Sequence, residues 1–167
     1  RVETVVGIST DKACKPINVM GMTKAVMERI LVEANLRQPD TRFACVRYGN
    51  VVGSRGSVIP LFKAQAESGV LTITDERMTR FWITLDQAVT FVLESLSRMR
   101  GGEIFVPKIP SMRVMDIAEA LAPDAEHRII GIRPGEKLHE VMLSVFEDPD
   151  TTETEAGYVI EPEWASW

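Results

Sequence analysis

The sequence predicts an α/β fold with parallel β-strands, and three observations support this class. Short apolar runs that are typical of buried strands alternate with longer amphipathic segments of helical period. Glycine- and proline-containing stretches separate the two kinds of segment. The chain has 167 residues, 45% of them hydrophobic, which is enough to bury one core. In parallel α/β folds ligands bind beyond the carboxyl ends of the strands, so the loops after strands are the places to search for a site.

The first third of the chain is predicted to form strand, helix, strand and glycine-rich loop. Residues 4–9 are a short apolar run that ends in small polar residues, as a buried strand does. A long amphipathic helix is predicted at about residues 17–36, and Pro39 closes it. Residues 42–47 are the next strand, and the glycine-rich loop at residues 48–57 follows it.

The rest of the chain continues this alternation. Apolar residues at helical spacing predict a helix over residues 86–99, and the acidic stretch 147–155 lacks any periodicity and is expected to be a loop. The other predicted elements are helix 58–68, strands 71–74 and 81–84, strand 103–106, helix 114–121, strand 128–132 and a short helix 136–143.

Composition disfavours several classes of protein. The formal net charge of -5 argues against a nucleic-acid partner. No apolar run is long enough to cross a lipid bilayer, which argues against a membrane partner. Cys14 and Cys45 have neither metal-type nor disulfide-type spacing, so we expect buried, reduced thiols in a cytoplasmic protein. His127 and His139 are isolated and are expected to be structural. No metal site is predicted.

Polar residues follow the first predicted strand, where functional groups of this architecture collect. They form the run Ser9-Thr10-Asp11-Lys12. Such a run can also be a solvated charge pair or a helix-capping loop, since Thr and Asp both cap helices well. In the helix that follows, Met20 and Lys24 are four residues apart and lie on one face. Met20 is also in line with Met27 and Leu31, so it can equally be a core residue.

Several motifs occur in order along almost the whole chain. Ser-Thr-Asp-Lys-Ala begins at Ser9, Pro-x-Asn-x-x-Gly-x-Thr-Lys ends at Lys24, and Arg-Tyr-Gly-Asn-Val begins at Arg47. Together they resemble the extended short-chain dehydrogenases/reductases that act on nucleotide sugars. Four further motifs narrow the resemblance to UDP-N-acetylglucosamine 4,6-dehydratases of the polysaccharide biosynthesis protein family, in particular the inverting type of pseudaminic acid biosynthesis; they begin at Gly53, Met78, Gly102 and Gly131.

The resemblance implies a division of the chain. Residues 1–53 would be the C-terminal part of a Rossmann-like, doubly wound parallel sheet that binds NADP or NAD, and residues 54–167 mainly a smaller α/β subdomain that binds the nucleotide sugar. No Gly-x-x-Gly-x-x-Gly fingerprint for the dinucleotide follows a strand in this sequence. We therefore expect the C-terminal fragment of a larger enzyme, inactive when alone. The full-length protein is expected to be a homo-oligomer, since relatives often assemble through helices such as residues 17–36.

The implied reaction moves a hydride from carbon 4 of the sugar to carbon 6 and removes water, so its net result is that of a lyase. By resemblance, Lys12 is the base for the carbon 5 proton, which requires a neutral amine. Asp11 is the acid for the leaving hydroxyl, and Thr10 binds the carbon 4 hydroxyl. Lys24 is also implied to be catalytic: it binds the nicotinamide ribose, and its fixed positive charge favours proton loss nearby. The other implied cofactor contacts are Ser9, Met20 and Val51.

Met20 departs from the pattern of the class, which usually has tyrosine four residues before the helix lysine. Tyrosine there removes the hydroxyl proton from carbon 4, and a thioether has no proton to exchange. Some dehydratases of this superfamily also resemble the chain in having methionine. Asp11 would then also accept the carbon 4 hydroxyl proton, directly or through water.

The glycine-rich loop leads into a predicted helix, and backbone N–H groups at such a start together with an arginine form a phosphate site. Without the resemblance, the glycines would indicate an ordinary loop. With it, Asn50, Arg55 and Val58 are expected to contact the UDP end of the substrate. Thr72 and Arg133 are further implied substrate contacts, Arg133 to the diphosphate.

Two alternatives remain at this point. One is a nucleotide-sugar epimerase or a retaining dehydratase, against which the adjacent Asp11 and Lys12 favour dehydration. The other is a non-catalytic module that binds nucleotide sugars, which Met20 favours. The joint presence of Asp11, Lys12 and Lys24 disfavours such a module, because binding alone has little use for all three.

Overall fold

The computed structural model describes residues 1–164. Its β-strands are β1 (Thr4–Thr10), β2 (Arg42–Tyr48), β3 (Asn50–Val51), β4 (Val70–Ile73), β5 (Thr79–Ile83), β6 (Ile104–Pro107), β7 (Ser111–Arg113), β8 (Glu126–Ile129), β9 (Thr151–Glu153) and β10 (Gly157–Ile160). Its α-helices are α1 (Val19–Arg37), α2 (Val58–Ala66), α3 (Leu85–Arg98) and α4 (Val114–Leu121). Two 3-10 turns cover Asp11–Ala13 and Asp148–Asp150.

The chain divides into two compact units. Unit 1 contains Arg1–Gly49, Asp86–Lys108 and the chain from Val141 onward, and unit 2 contains Asn50–Leu85 and Ile109–Glu140. The boundary between residues 53 and 54 that the resemblance implies stays a prediction.

Unit 1 is built on a five-stranded sheet with the order β1-β2-β6-β10-β9. β1, β2 and β6 are parallel, and α1 is the crossover between β1 and β2. β10 pairs antiparallel with β6, and β9 pairs antiparallel with β10. In β2 the consecutive residues Ala44, Cys45 and Val46 are all fully buried, as expected of a strand covered on both faces. Phe91 of α3 and Phe105 of β6 pack into the same core. The carboxyl ends of β1 and β2 therefore lie side by side.

Unit 2 has two small sheets and its own core. β3 and β5 are parallel, β5 and β7 are antiparallel, and β4 pairs in parallel with β8. Phe62 of α2, Leu71 and Ile73 of β4, and Ala118 of α4 are buried together. The core of unit 2 thus holds α2, and with it the end of the glycine-rich loop, against β4 and α4.

One predicted helix is wrong. Residues 136–143 form bends and irregular structure, although their sequence has a partly helical pattern. The carbonyl oxygen of Leu138 accepts hydrogen bonds from the Thr79 backbone N–H and the Arg80 guanidinium, which also binds the Lys137 carbonyl. These carbonyl groups find partners on β5, so the segment satisfies them without helical hydrogen bonds.

The prediction of a plain loop at residues 147–155 is also wrong, because β9 lies within it and pairs with β10. β10 runs antiparallel to β6 in a sheet that the alternation predicted to be parallel, and β9 pairs antiparallel with β10. The remaining predicted helices and strands are confirmed to within a few residues at their ends; for example, α1 ends one residue beyond the predicted 17–36. The short strands β3, β7 and β10 were not predicted.

Candidate functional site

The loop after β1 forms a tight 3-10 turn that presents Thr10, Asp11 and Lys12 together. Thr10 is its N-cap and accepts a hydrogen bond from the Lys12 backbone N–H at 3.4 Å. Asp11 is fully buried, and its Oδ1 accepts from Thr10 Oγ1 at 2.8 Å and from Lys12 Nζ at 2.9 Å. Three of the four predicted catalytic residues therefore share one hydrogen-bonded cluster. Thr10 also has the capping role of the alternative interpretation.

The second carboxylate oxygen of Asp11 is unusual. Oδ2 is buried and has no hydrogen-bond partner within the part of the chain that the structure describes. A buried carboxylate oxygen without a partner is destabilising, because it has lost its hydration and gained nothing in return. Because this oxygen is closed to solvent, a substrate hydroxyl group could bond to it only if the turn opened.

The start of α1 packs directly against this turn. Asn18 caps the helix by accepting the Gly21 backbone N–H at 2.8 Å. A Cβ atom on Gly21 would collide with the backbone carbonyl oxygen of Lys12 and would lie 3.2 Å from Pro16 Cβ. Glycine at this position thus allows the helix that carries Lys24 to approach the turn that carries Asp11.

Lys24 and Met20 lie on α1 as predicted. Lys24 Nζ donates to the Ile8 carbonyl at 2.7 Å, near the carboxyl end of β1. The Met20 side chain is 46% exposed, so it is not a core residue and the interpretation as core filler is wrong. Both side chains remain available on the surface of unit 1 for contact with a ligand.

A buried charge network lies beneath the turn, and sequence reasoning missed it. Glu28 of α1 accepts hydrogen bonds from Ser9 Oγ at 2.5 Å and from Arg47 Nε and Nη2 at 3.0 and 2.7 Å. Arg47 in turn binds Glu147 and the Met142 carbonyl oxygen. The only sequence signal was the spacing of Lys24 and Glu28, which places them on one face of the helix. The Ser9 hydroxyl is engaged in this network, so its predicted contact with the cofactor would fall to its backbone.

The network changes the acidity of its members. Burial alone would raise the pKa of Glu147, but hydrogen bonds and charge from Arg47, with hydrogen bonds from Ser144, outweigh it and lower the pKa to about 2. Burial would lower the pKa of Arg47, but its bonds to Glu28 and Glu147 raise it above its ordinary value. Glu147 and Arg47 therefore remain ionised throughout the neutral range.

Both cysteines are free and buried, which confirms the expectation of reduced thiols. Burial, reinforced by the charge of Glu28, raises the pKa of the Cys45 thiol to about 12. Cys45 is therefore a protonated core residue rather than a nucleophile. Within residues 1–164, no group of three or more histidine, cysteine or acidic side chains is arranged to hold a metal ion.

The predicted substrate-binding residues lie in unit 2. Asn50 and Val51 form β3, and Arg55 is exposed in the glycine-rich turn, where Gly53 and Gly56 adopt positive φ angles of 72° and 74°. Val58 is the first residue of α2. The arrangement provides a helix start close in sequence to an arginine, as predicted, and phosphate binding there stays a prediction.

Thr72 and Arg133 already have protein partners. The hydroxyl of Thr72 accepts from Gln65 Nε2 at 2.7 Å, and its backbone N–H donates to Gln65 Oε1. Arg133 forms an exposed ion pair with Glu136 at 2.6 Å. A substrate diphosphate would have to compete with Glu136 for this guanidinium, which is feasible because exposed ion pairs are weak.

The five-stranded sheet and the turn at the carboxyl end of β1 define a Rossmann-like α/β protein. The sequence profile of the family described as "Polysaccharide biosynthesis protein" matches residues 1–162. The chain belongs to this family.

Two curated relatives illustrate the range of this similarity. The UDP-N-acetylglucosamine 4,6-dehydratase (inverting) of Campylobacter jejuni is 54% identical over 96% of this chain and 49% of its own length. A UDP-glucose 4-epimerase of Rickettsia conorii is 46% identical over 86% of this chain and 44% of its own length. The chain thus spans about half the length of these relatives.

Solved structures agree with the fold. Pen from Bacillus thuringiensis has a TM-score of 0.94 with 34% identity, covering 99% of this chain and 54% of that one. The dTDP-glucose 4,6-dehydratase DesIV from Streptomyces venezuelae, solved with NAD bound, has a TM-score of 0.72 at 20% identity, covering 96% of this chain and 56% of that one. These likenesses confirm the predicted α/β class.

No helix in residues 1–164 combines the length and apolar character needed to span a membrane.

Proposed function

We propose that the protein that carries this chain is a nucleotide-sugar dehydratase. It would convert UDP-N-acetylglucosamine into a UDP-4-keto-6-deoxy-N-acetylhexosamine with inversion at carbon 5. The observation that carries the proposal is the 54% identity to the inverting Campylobacter jejuni enzyme over 96% of this chain. The Thr10-Asp11-Lys12 turn supports it, because the reaction requires an acid and a base close together.

The reaction requires a bound nicotinamide dinucleotide, which accepts a hydride from carbon 4 and returns it to carbon 6. We propose NADP, with NAD as the alternative. Residues of unit 1 suit its nicotinamide ribose, since Lys24 uses one of its three ammonium donors on the Ile8 carbonyl and Met20 is half exposed beside it on α1. Val51 and the backbone of Ser9 are proposed as further contacts.

Asp11 would carry one proton between two hydroxyl groups of the sugar. Its free Oδ2 accepts the proton of the carbon 4 hydroxyl, with Thr10 holding that hydroxyl in place. The resulting carboxylic acid then gives this proton to the carbon 6 hydroxyl, which leaves as water. Met20 takes no part, so Asp11 would replace the tyrosine of the wider class.

Lys12 would remove the carbon 5 proton as a neutral amine and release it to solvent. Inversion requires that the new proton reach carbon 5 from the opposite face of the ring, and solvent would supply it. The Nζ of Lys12 lies 2.9 Å from Asp11 Oδ1. This distance places the proposed base beside the proposed acid. The two residues act in sequence, and every proton taken up is released within one turnover.

The direct test is to incubate the gene-encoded protein that contains residues 1–167 with UDP-N-acetylglucosamine in deuterated water and to follow the sugar by NMR. The expected product is a 4-keto-6-deoxy sugar with deuterium at carbon 5 and ring couplings that indicate inversion. Ring couplings that indicate retention would replace the inverting assignment with a retaining dehydratase. Substrate that binds without change would contradict an enzymatic role and favour the non-catalytic module.

The second candidate is a 4-epimerase, which the 46% identity to the Rickettsia conorii epimerase favours. In the same experiment an epimerase would give the carbon 4 epimer with its carbon 6 hydroxyl retained and no deuterium at carbon 5. The adjacent Asp11 and Lys12 are the reason to rank dehydration first, since epimerisation at carbon 4 does not require a base for carbon 5.

We also propose a homo-oligomer that forms through α1. Val19, Met22, Val26 and Ile30 recur at helical spacing and are 48–75% exposed, and exposed apolar stripes of this kind mark interaction surfaces. Replacing both Val26 and Ile30 by glutamate should convert the oligomer into a monomer in size-exclusion chromatography with light scattering. A wild-type protein that is already a monomer would contradict the proposal.

A cytoplasmic location is proposed from the two reduced cysteines.

A further inference from the structure

We propose that Glu28 is a positioning residue that holds the Thr10-Asp11-Lys12 turn in its reactive orientation by fixing the end of β1. The inference rests on the proposed function, because it assigns a role in the same reaction. Glu28 does not belong to the turn and would not touch the substrate. Its effect is transmitted through Ser9, the residue that precedes the turn.

The helix α1 is attached to β1 at two consecutive residues. Lys24 Nζ binds the carbonyl oxygen of Ile8 at 2.7 Å, and Glu28 Oε1 binds the hydroxyl of Ser9 at 2.5 Å. Lys24 and Glu28 are one helical turn apart on the same face. Two attachments at adjacent strand residues fix both the height and the rotation of the helix relative to the strand. The strand leads directly into Thr10.

Arg47 prevents the Glu28 carboxylate from turning away. Its guanidinium holds both carboxylate oxygens, at 3.0 and 2.7 Å, which is the bidentate geometry that restricts rotation most strongly. Arg47 is also the register partner of Ser9 in the β1–β2 pair. It is anchored from the other side by Glu147 at 2.8 Å and by the Met142 carbonyl at 2.9 Å.

The energetics of the network favour a role in orientation. Ser9, Glu28 and Arg47 are each no more than 3% exposed. Removing charges from water is costly, and apolar residues of similar volume often give equal or greater stability. A charged network therefore adds little stability that packing could not supply. It does define directions, because hydrogen bonds require specific geometry and apolar contacts do not.

The test compares Glu28→Gln and Ser9→Ala with a matched control, Glu103→Gln. Glu103 is also a buried carboxylate of unit 1, at 4% exposure, and accepts the backbone N–H groups of Arg100 and Gly101. It precedes β6, so it lies at the opposite end of the parallel strands from Ser9. Each variant of the gene-encoded protein is assayed with UDP-N-acetylglucosamine and added NADP.

We expect Glu28→Gln and Ser9→Ala each to lower kcat by roughly 10- to 100-fold, with KM changed by less than about 3-fold, because displacement of reacting groups affects the chemical step most. The double variant should be no slower than the slower single variant, since both substitutions break one connection. Glu103→Gln should keep kcat within about 3-fold. Equal losses of kcat in the Glu103 and Glu28 variants would overturn the inference, as would a Ser9→Ala variant with unchanged kcat.

Hydrogen exchange provides a readout that does not depend on activity. The backbone N–H of Cys14 donates to the Asp11 carbonyl at 3.1 Å and closes the turn. This amide should lose protection in Glu28→Gln and Ser9→Ala and keep it in Glu103→Gln. Unchanged protection in both site variants would reject a positioning role. A wild-type protein without turnover would reject the proposed function alone, since the exchange experiment still decides the role of Glu28.

Discussion

At the scale of single residues, Asp11 has the most demanding environment in the described chain. It is completely buried, one oxygen serves Thr10 and Lys12, and the other has no partner among residues 1–164. A purely structural carboxylate would be expected to satisfy both oxygens. The proposed proton transfer gives the unpaired oxygen a role that the rest of the fold does not.

Asp11→Asn should therefore lower the rate of dehydration by at least roughly 100-fold. This factor is the lower end of the rate loss expected when a general acid–base group is removed. Asparagine retains the shape of aspartate and can still accept from Thr10, so the unfolding temperature should change little. Product formation by NMR measures the first effect and circular dichroism the second. Asp40→Asn is the control, because the Asp40 side chain is 71% exposed in an ion pair with Arg1. Activity retained in Asp11→Asn would remove Asp11 from the chemistry.

Glu147 predicts a specific loss of stability in acid. Its pKa is about 2 in the folded protein and close to its ordinary value of 4.5 when unfolded. The folded pKa is the lower one, so the stabilisation is present above about pH 4.5 and disappears as the pH falls towards 2. We estimate on the order of 2 kcal/mol for this contribution.

The measurement is urea unfolding of the wild type and of Glu147→Gln at neutral pH and at successively lower pH. The variant should be less stable at neutral pH, and its stability should fall less steeply on acidification, because it lacks one group that titrates. Parallel curves for the two proteins would show that Glu147 does not contribute to the acid sensitivity.

At the scale of elements, the contact between α1 and the turn after β1 depends on Gly21. Helix propensity alone predicts that Gly21→Ala stabilises the protein by up to about 1 kcal/mol. The added Cβ would collide with the Lys12 carbonyl, however, and overpacking of this kind costs about 1–3 kcal/mol. We expect destabilisation together with a loss of turnover, since Lys12 must move. The sign of the change in unfolding free energy decides the matter, and a stabilised, active Gly21→Ala variant would refute the contact.

The elements also show what the sequence can and cannot predict. The helix α3 follows from periodicity, because its buried residues Ala88, Phe91 and Ser95 lie on one face. The helix α1 buries only Gly21 and Glu28, so its apolar residues do not mark one buried face, and the proline that follows it is the signal that located its end. Residues 136–143 were misassigned because their carbonyl groups bind Arg80 and the Thr79 backbone, about 60 residues earlier in the chain. No local pattern contains that information. β10 was missed for a similar reason, since its partner β6 is also distant in sequence.

The candidate site also has a part that the sequence predicted and a part that it missed. The Thr10-Asp11-Lys12 turn and Lys24 were found because the end of a parallel strand is where functional groups collect and because the motif is contiguous. Arg47, Glu28 and Glu147 form the network beneath it, yet they come from a strand, a helix and a loop up to 119 residues apart in the numbering. The sequence alone does not predict that these charged side chains are buried, because the partners that neutralise them are distant in the chain and meet only in the fold.

At the scale of the whole molecule, the chain consists of two units, each with its own core. Unit 1 carries the proposed acid and base, and unit 2 carries the proposed contacts to the UDP end. β1 pairs with β2 on one side, and within residues 1–164 no strand pairs with its other side. An open edge of this kind is a surface for adding a further strand.

We therefore expect residues 1–167 expressed alone to give no turnover and to bind NADP weakly, whereas a protein extended to the full length of the relatives should do both. The physical reason is that neither unit provides the glycine-rich turn that brings a backbone against a dinucleotide pyrophosphate. Fluorescence titration with the reduced cofactor measures binding, and NMR of UDP-N-acetylglucosamine measures turnover. A longer protein carrying Asp11→Asn serves as the control, because it should bind the cofactor and remain inactive. Dehydration by residues 1–167 alone would show that the described turn and its two units suffice for catalysis.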